Sequence, residues 1–268
     1  MKRLVCGLVL AVSLLLVIKL LPPLYTFLFA LFWAILSLRE FYRIAERSGH
    51  LPNKGVGHLF TALMLFSFYS PLIPKVAIIV SMVVAVPIIY LLSARDLRQA
   101  LGGMAVTIYG VLTIGFLLGY GVAIRLIDGG GVRGANLLLF FLIIIAWGDV
   151  GCYVVGRSVG KHRCFPQVSP NKTLEGSLGG IAFNFMAAFG IKGFLFKELS
   201  PLHCLLLTLL LGVFSQAGDL CESVYKRGGG VKDSSNILPG HGGALDRVDS
   251  LLFSGPIFYY FYNLFLNH

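Results

Sequence analysis

Nine stretches of this chain are apolar over nearly their whole length, and they leave it few ways to fold. They lie near residues 4–21, 24–38, 56–73, 76–93, 100–124, 135–155, 177–196, 202–220 and 248–266. About 20 apolar residues cross the hydrocarbon of a bilayer. Inside that hydrocarbon only helices and closed barrels satisfy their own backbone groups. The runs are continuous, not alternating, which excludes the barrel. The expectation is an all-α, polytopic membrane bundle of about nine transmembrane helices. Charged residues make up 13% of the 268, about half of what a soluble domain carries.

Lys and Arg set the orientation. With the N-terminus inside, sixteen of the 22 basic residues fall on inner loops and six on outer ends. That imbalance follows the positive-inside rule and puts the C-terminus outside. The net charge of +10 fits contact with anionic lipid or nucleotide, and equally the ordinary surplus of basic residues on cytoplasmic loops. Lys2-Arg3 followed by an apolar run has the look of a signal peptide. No small-residue cleavage site precedes Pro22-Pro23, so it reads as a retained first span. The five cysteines form no C-x-x-C pair and suggest neither a disulfide framework nor a thiolate metal site.

Two regions are expected. Residues 1–134 carry about five spans and few polar residues within them. Arg39–Lys54 reads as an interfacial, partly amphipathic segment or a solvated loop. Residues 135–268 hold the chemistry, in three polar constellations on the predicted inner side. The first is Trp147-Gly148-Asp149, followed by Tyr153; a carboxylate near membrane depth usually faces a partner or a cavity. The second is Ser169-Pro170-Asn171-Lys172-Thr173-Leu174-Glu175-Gly176. Ser-Pro-Asn reads as a turn, and Ser169, Lys172 and Thr173 offer donors to phosphate oxygens. The loop leads into the N-terminus of a helix, which favours anions. Glu175 reads as a capping partner. Gly176, Gly179 and Gly180 would let a backbone or a ligand come close.

The third constellation joins Gln216, Asp219, Glu222, Ser223, Lys226 and Arg227 to a loop rich in Gly and Pro, the whole signature stretch running over 223–249. Asp219, Glu222 and Lys226 follow steps of three and four, so they share a helical face. Lys232-Asp233 and Asp246-Arg247-x-Asp249 bracket Pro239-Gly240-His241-Gly242-Gly243. The glycines let the loop fold back so that Asp246 meets Asp219. Two carboxylates with water and phosphate oxygens are what Mg²⁺ prefers. His241 lacks a second zinc ligand at suitable spacing and reads as a phosphate donor or a loop-shaping residue. No phosphate-binding P-loop, G-x-G-x-x-G or G-x-S-x-G motif is present. Any nucleotide must therefore bind at the inner mouth of the bundle.

At these residues the chain closely resembles the phosphatidate cytidylyltransferases. The resemblance rests on Ser223, Lys226-Arg227, Lys232-Asp233, His241-Gly242-Gly243, Asp246-Arg247 and Asp249, and upstream on Asp149, Tyr153 and Ser169 to Gly176. Tyr225 stands where an aliphatic residue or Phe is usual, Ala244 is smaller than usual, and Cys152 replaces an Ala. The match is firm over roughly 147–250 and only hydropathic before that. It implies transfer of CMP from CTP to phosphatidic acid with Mg²⁺ and a second cation such as K⁺. It implies Asp219 and Asp246 as metal ligands, with Asp149 and Asp249 as supporting carboxylates. Lys226 and Arg247 would act in catalysis, and Ser169, Lys172, Ser223, Arg227, Lys232 and His241 would bind substrate. The expected setting is a bacterial inner membrane with the site facing the cytoplasm. Membrane lipids are the expected partners, a homodimer is compatible, and no nucleic-acid partner is expected. The rival readings are a CTP-dependent polyprenol- or phytol-type lipid kinase and, well behind, a secondary transporter.

Overall fold

The computed structural model describes residues 2–93, 97–235, 237 and 242–266; the side chains of residues 2–6, 8 and 10 lie outside the description. It is helical almost throughout. The helices are α1 (Lys2–Leu20), α2 (Pro23–Arg47), α3 (Lys54–Tyr69), α4 (Lys75–Ser93), α5 (Leu97–Gly110), α6 (Leu117–Arg125), α7 (Val132–Val159), α8 (Leu174–Leu195), α9 (Pro201–Gly228) and α10 (Leu245–Phe265). A π-helical turn, Val111–Phe116, joins α5 to α6 into one rod. Each of the nine apolar runs thus falls on a helix. Among the described residues, six helical rods are long and apolar enough to cross a membrane: α2, α4, α5 with α6, α7, α8 and α9. Large apolar side chains such as Leu72, Leu91, Leu92, Leu101 and Phe194 are exposed on the helices and their ends, as lipid contact demands.

The chain divides into two compact units, neither continuous in sequence. The first is Met1–Ala123 with Tyr225–Val248; the second is Ile124–Val224 with Asp249–His268. The signature loop therefore belongs with the N-terminal helices. In the first unit, α2 packs against α1, α3 and α5, and α3 against α4 and the π turn. Leu38, Met64, Leu65, Met82 and Ile114 are fully buried there. Tyr42 crosses this core to donate to the carbonyl of Thr107 at 2.9 Å.

One expectation for this unit needs correction: the second span does not stop near residue 38, since α2 runs on to Arg47. Of the two readings of the residues that follow, the amphipathic one holds over the helix and the solvated loop does not. Arg39, Arg43 and Arg47 are exposed while Glu40, Phe41 and Ile44 are buried, so the segment is an amphipathic extension of the helix.

In the second unit α7 and α8 lie along one another. Gly148, Gly151 and Gly156 on α7 face Gly180, Gly179 and Gly176 on α8, so it is the α7 backbone that the α8 glycines admit. A Cβ on Gly179 would stand 2.5 Å from Val155 Cβ, whereas one on Gly190 would meet nothing within 4 Å. Gly179→Leu should cost about 2 kcal/mol or more by overpacking. Its thermal unfolding midpoint in detergent should fall clearly, while Gly190→Leu leaves it near the wild type.

Between α7 and α8 runs a small antiparallel hairpin, β1 (Arg163–Phe165) and β2 (Ser169–Thr173), paired as Arg163 with Thr173 and Phe165 with Ser169 across an irregularity. The Ser-Pro-Asn segment is thus a strand and not the expected turn. Pro170 is tolerated because a two-stranded sheet consists only of edges. Thr173 closes the hairpin and caps α8, its hydroxyl accepting from Gly176 N at 3.2 Å. Glu175 is not the reciprocal partner of that cap. It reaches back to the hairpin entrance, where its carboxylate accepts from Lys161 N and His162 N and lies 2.6 Å from His162 Nδ1.

Candidate active site

In the second unit, Asp219 and Glu222 sit one turn apart on α9, and α10 delivers Asp249 to them. One carboxylate oxygen from each lies within 4.8 Å of the others. The meeting depends on Gly218: any Cβ there would collide with the Asp249 carbonyl, so glycine lets the two helices touch. Asp219 and Asp249 are partly exposed, and Glu222 is buried. Like charges at such separation repel by about 3 kcal/mol per pair at an effective dielectric constant of ~20. One cation already answers part of this. Lys172, carried on β2, donates to Asp219 Oδ2 at 2.8 Å and to the Gln216 carbonyl at 3.0 Å. Gln216 in turn donates to the Ser177 carbonyl at 3.0 Å, tying α9 to the start of α8. Hairpin, α8 and α9 together thus fix where the lysine can reach.

The donor set is all hard oxygen. It suits Mg²⁺, which is usually held by one or two carboxylates plus water and substrate phosphates.

In the first unit, Asp246 is the hub of the signature loop. Its Oδ1 accepts from Lys226 Nζ at 2.6 Å. Its Oδ2 accepts from Ser234 N at 3.1 Å, Ser234 Oγ at 2.8 Å and Gly243 N at 2.7 Å. Lys226 and Asp246 keep only 11% and 12% of their side-chain surface exposed. A buried pair of this kind holds geometry strongly, because removing one partner strands the other charge. Arg227 donates to the Val231 carbonyl at 3.2 Å, reinforcing the turn after α9. Arg227, Lys232, Asp233 and Arg247 are exposed.

Of the carboxylates expected from the sequence, Asp219 and Asp249 converge. The third one beside them is Glu222, recognised from its spacing but given no metal role. Asp149 lies on an exposed face of α7 and is not among the three. Asp246, expected as the partner of Asp219, belongs to the first unit and meets Lys226 there. Asp219, Glu222 and Lys226 do share α9, but the helix passes from one unit to the other at Tyr225. Lys172 engages a carboxylate directly. Ser169 begins β2, and Ser223 is buried on α9. His241 lies outside the described residues.

One residue was not anticipated at all. Glu40, on α2, has no exposed surface and binds the signature loop through four hydrogen bonds. The only trace of it in the sequence is an acidic residue on the apolar side of a helix that continues a predicted span.

The model of the Cytidylyltransferase family matches residues 1–265. A phosphatidate cytidylyltransferase of Bacillus subtilis (strain 168) is 44% identical over 153 residues, covering 57% of this chain and 55% of that protein. The uncharacterized protein YnbB of Escherichia coli (strain K12) is 48% identical over 128 residues, 48% of this chain and 43% of YnbB. A phosphatidate cytidylyltransferase of Staphylococcus epidermidis is 45% identical over 125 residues, 47% and 48% of the two chains. The chain spans about half the length of the curated relatives it matches.

Proposed function

The chain belongs to the Cytidylyltransferase family, and from that premise we propose that it transfers CMP from CTP to phosphatidic acid. The products are CDP-diacylglycerol and pyrophosphate. The observation that carries the proposal is the convergence of Asp219, Glu222 and Asp249 with Lys172 in contact. A site for a nucleoside triphosphate needs carboxylates to hold a divalent ion and cations to meet phosphate, and this arrangement supplies both. The names of the relatives from Bacillus and Staphylococcus agree with the reading.

The bond changes are simple. A phosphatidate oxygen forms a bond to the α-phosphorus of CTP, the bond from that phosphorus to the bridging oxygen breaks, and pyrophosphate leaves with its electron pair. The nucleophile is already an anion, so no strong general base is required. The obstacle is repulsion between two polyanions. A Mg²⁺ held by Asp219, Glu222 and Asp249 would draw charge from phosphate oxygens and blunt that repulsion. Lys172 is positioned to exchange its Asp219 contact for a phosphate oxygen. Within the first unit, the exposed guanidiniums of Arg227 and Arg247 are suited to bidentate contact with a phosphate, and Lys232 to a point charge. In the same unit Asp246 holds Lys226 and the loop backbone in place. The lipid keeps its chains in hydrocarbon and presents its phosphate from the bilayer, on our reading at the cytoplasmic face of a bacterial membrane.

The test is purified protein with phosphatidic acid and each of CTP, dCTP and ATP, with and without Mg²⁺ and K⁺, followed by identification of the lipid product. Label carried in the cytidine of CTP should appear in lipid, and only with a divalent ion present. Label reaching lipid from the γ-phosphate alone would mean a lipid kinase and would end the proposal. No incorporation under any condition would end it as well.

A further inference from the structure

The amino-terminal helices carry none of the residues expected to act in chemistry, yet the signature loop folds onto one of them. Glu40 sits on α2 with no exposed surface. Its Oε1 accepts from Ser235 Oγ at 2.5 Å and Ala244 N at 3.0 Å, and its Oε2 from Ser234 Oγ at 2.8 Å and Leu245 N at 2.8 Å. The four donors come from both ends of the loop, residues 234–235 before the glycine stretch and 244–245 after it. The two amides belong to the N-terminal end of α10, where the free N–H groups and the helix dipole favour a carboxylate. Here that carboxylate comes from a helix some 200 residues earlier in the chain.

The neighbouring residues fit this role. A Cβ on Gly243 would collide with Ser234 Oγ and with both Glu40 oxygens, so only glycine allows the loop to close around the carboxylate. One turn further along α2, Ile44 lies against Gly229, where a Cβ would stand 2.9 Å from the Ile44 carbonyl. Phe41 meets the Tyr225 ring edge to face at 5.5 Å. Tyr225 and Tyr109, on α5, close this side with a hydroxyl–hydroxyl hydrogen bond of 2.5 Å. Ser234 Oγ lies 2.8 Å from an oxygen of Glu40 and from one of Asp246, so the two carboxylates share its one proton and a single serine joins them.

We infer that Glu40 is the positioning residue of the signature loop: its two oxygens fix residues 234–235 against residues 244–245 and so set the Asp246–Lys226 pair. The inference rests on the CMP-transfer reading only where activity is the readout. The loop itself is read by hydrogen exchange. Glu40→Gln keeps the shape but removes the charge and turns one acceptor into a donor that faces a backbone N–H beside a serine hydroxyl. Glu40→Asp keeps both acceptors on a shorter stem.

In the purified full-length protein, Glu40→Gln should speed exchange at the amides of Ser234, Ala244 and Leu245 by about tenfold or more, as expected for losing buried charge-assisted bonds. Exchange across α3 should stay as in the wild type, which separates local release from general loosening. The kcat for CMP transfer should fall by about tenfold or more, with the KM for phosphatidic acid within about twofold. Glu40→Asp should recover a measurable part of both losses. If Glu40→Gln fails to fold, Ser235→Ala removes one donor alone and should still quicken exchange at Ala244. Wild-type exchange at the three amides in folded Glu40→Gln would overturn the inference, as would faster exchange there with full kcat. Should the wild type transfer no CMP, the activity proposal falls by itself, and the exchange result still decides for or against the clamp.

Discussion

Asp219→Asn should lower CMP transfer by about a thousandfold and uncouple the protein from its divalent ion. Three carboxylate oxygens within 4.8 Å of one another repel, and Lys172 contributes a single positive charge to the group. A divalent ion bound there relieves that repulsion, so it should raise the unfolding temperature of the wild type. Asn keeps the volume of Asp and can still accept from Lys172, but it removes one charge from the cluster and one strong oxygen ligand. Losing about 4 kcal/mol of transition-state charge stabilisation corresponds to about three decades in rate. Two measurements separate this from simple misfolding. Without Mg²⁺, the variant should unfold within a few degrees of the wild type, because less repulsion offsets the weaker contact with Lys172. With Mg²⁺, the wild type should gain stability and the variant should not. A variant that turns over normally at ordinary Mg²⁺ would remove Asp219 from the chemistry. Glu222→Gln and Asp249→Asn should behave alike, since the three oxygens act as one group.

The extent to which this arrangement could be read from the sequence depends on how far each residue's partner lies along the chain. The apolar runs define the helices because the bilayer imposes their length and continuity. Asp219 and Glu222 were legible as a pair because one helical turn separates them. Asp249 follows from the family resemblance and not from spacing, because its arrival needs α10 to touch α9 at Gly218 and spacing along the chain carries no sign of that contact. Glu40 shows the limit most clearly. Its donors lie 194 to 205 residues away. In the sequence it stands beside Arg39 and Arg43, where a carboxylate resembles part of a solvated surface. Only the burial of its side of α2 reveals a charge turned inward.

The hairpin was misread for a local reason. Ser-Pro-Asn has turn chemistry, but five residues that pair across one strand and then cap α8 through Thr173 gain more from the ladder and the cap than from a turn. Contacts also group residues in a way that sequence order does not. Sequence order groups the loop with the helices that flank it, while its hydrogen bonds group Tyr225–Val248 with α2.

Asp246→Asn should abolish turnover too, but with the opposite signature in stability. Both Asp246 oxygens are committed, one to Lys226 and the other to three donors from Ser234 and Gly243. An Asn side chain must turn its NH₂ either toward the Lys226 ammonium or toward two backbone N–H groups, those of Ser234 and Gly243, with only the Ser234 hydroxyl able to accept from it. Its charge is also gone, which deprives the buried Lys226 ammonium of a carboxylate partner at 2.6 Å. Breaking a buried pair from one side costs about 3–5 kcal/mol, so Asp246→Asn should lower the unfolding midpoint substantially in detergent, with or without Mg²⁺. Adding Lys226→Met removes the ammonium that lost this partner. The double variant should regain much of the lost stability, and the pair should couple by more than about 1 kcal/mol in the double-mutant cycle. Activity should not return, because the loop has still lost the acceptor that gathers Ser234 and Gly243. Two results would refute this account of Asp246. One is a single variant as stable as the wild type. The other is a double variant that recovers turnover together with stability, since the carboxylate would then serve only to neutralise Lys226.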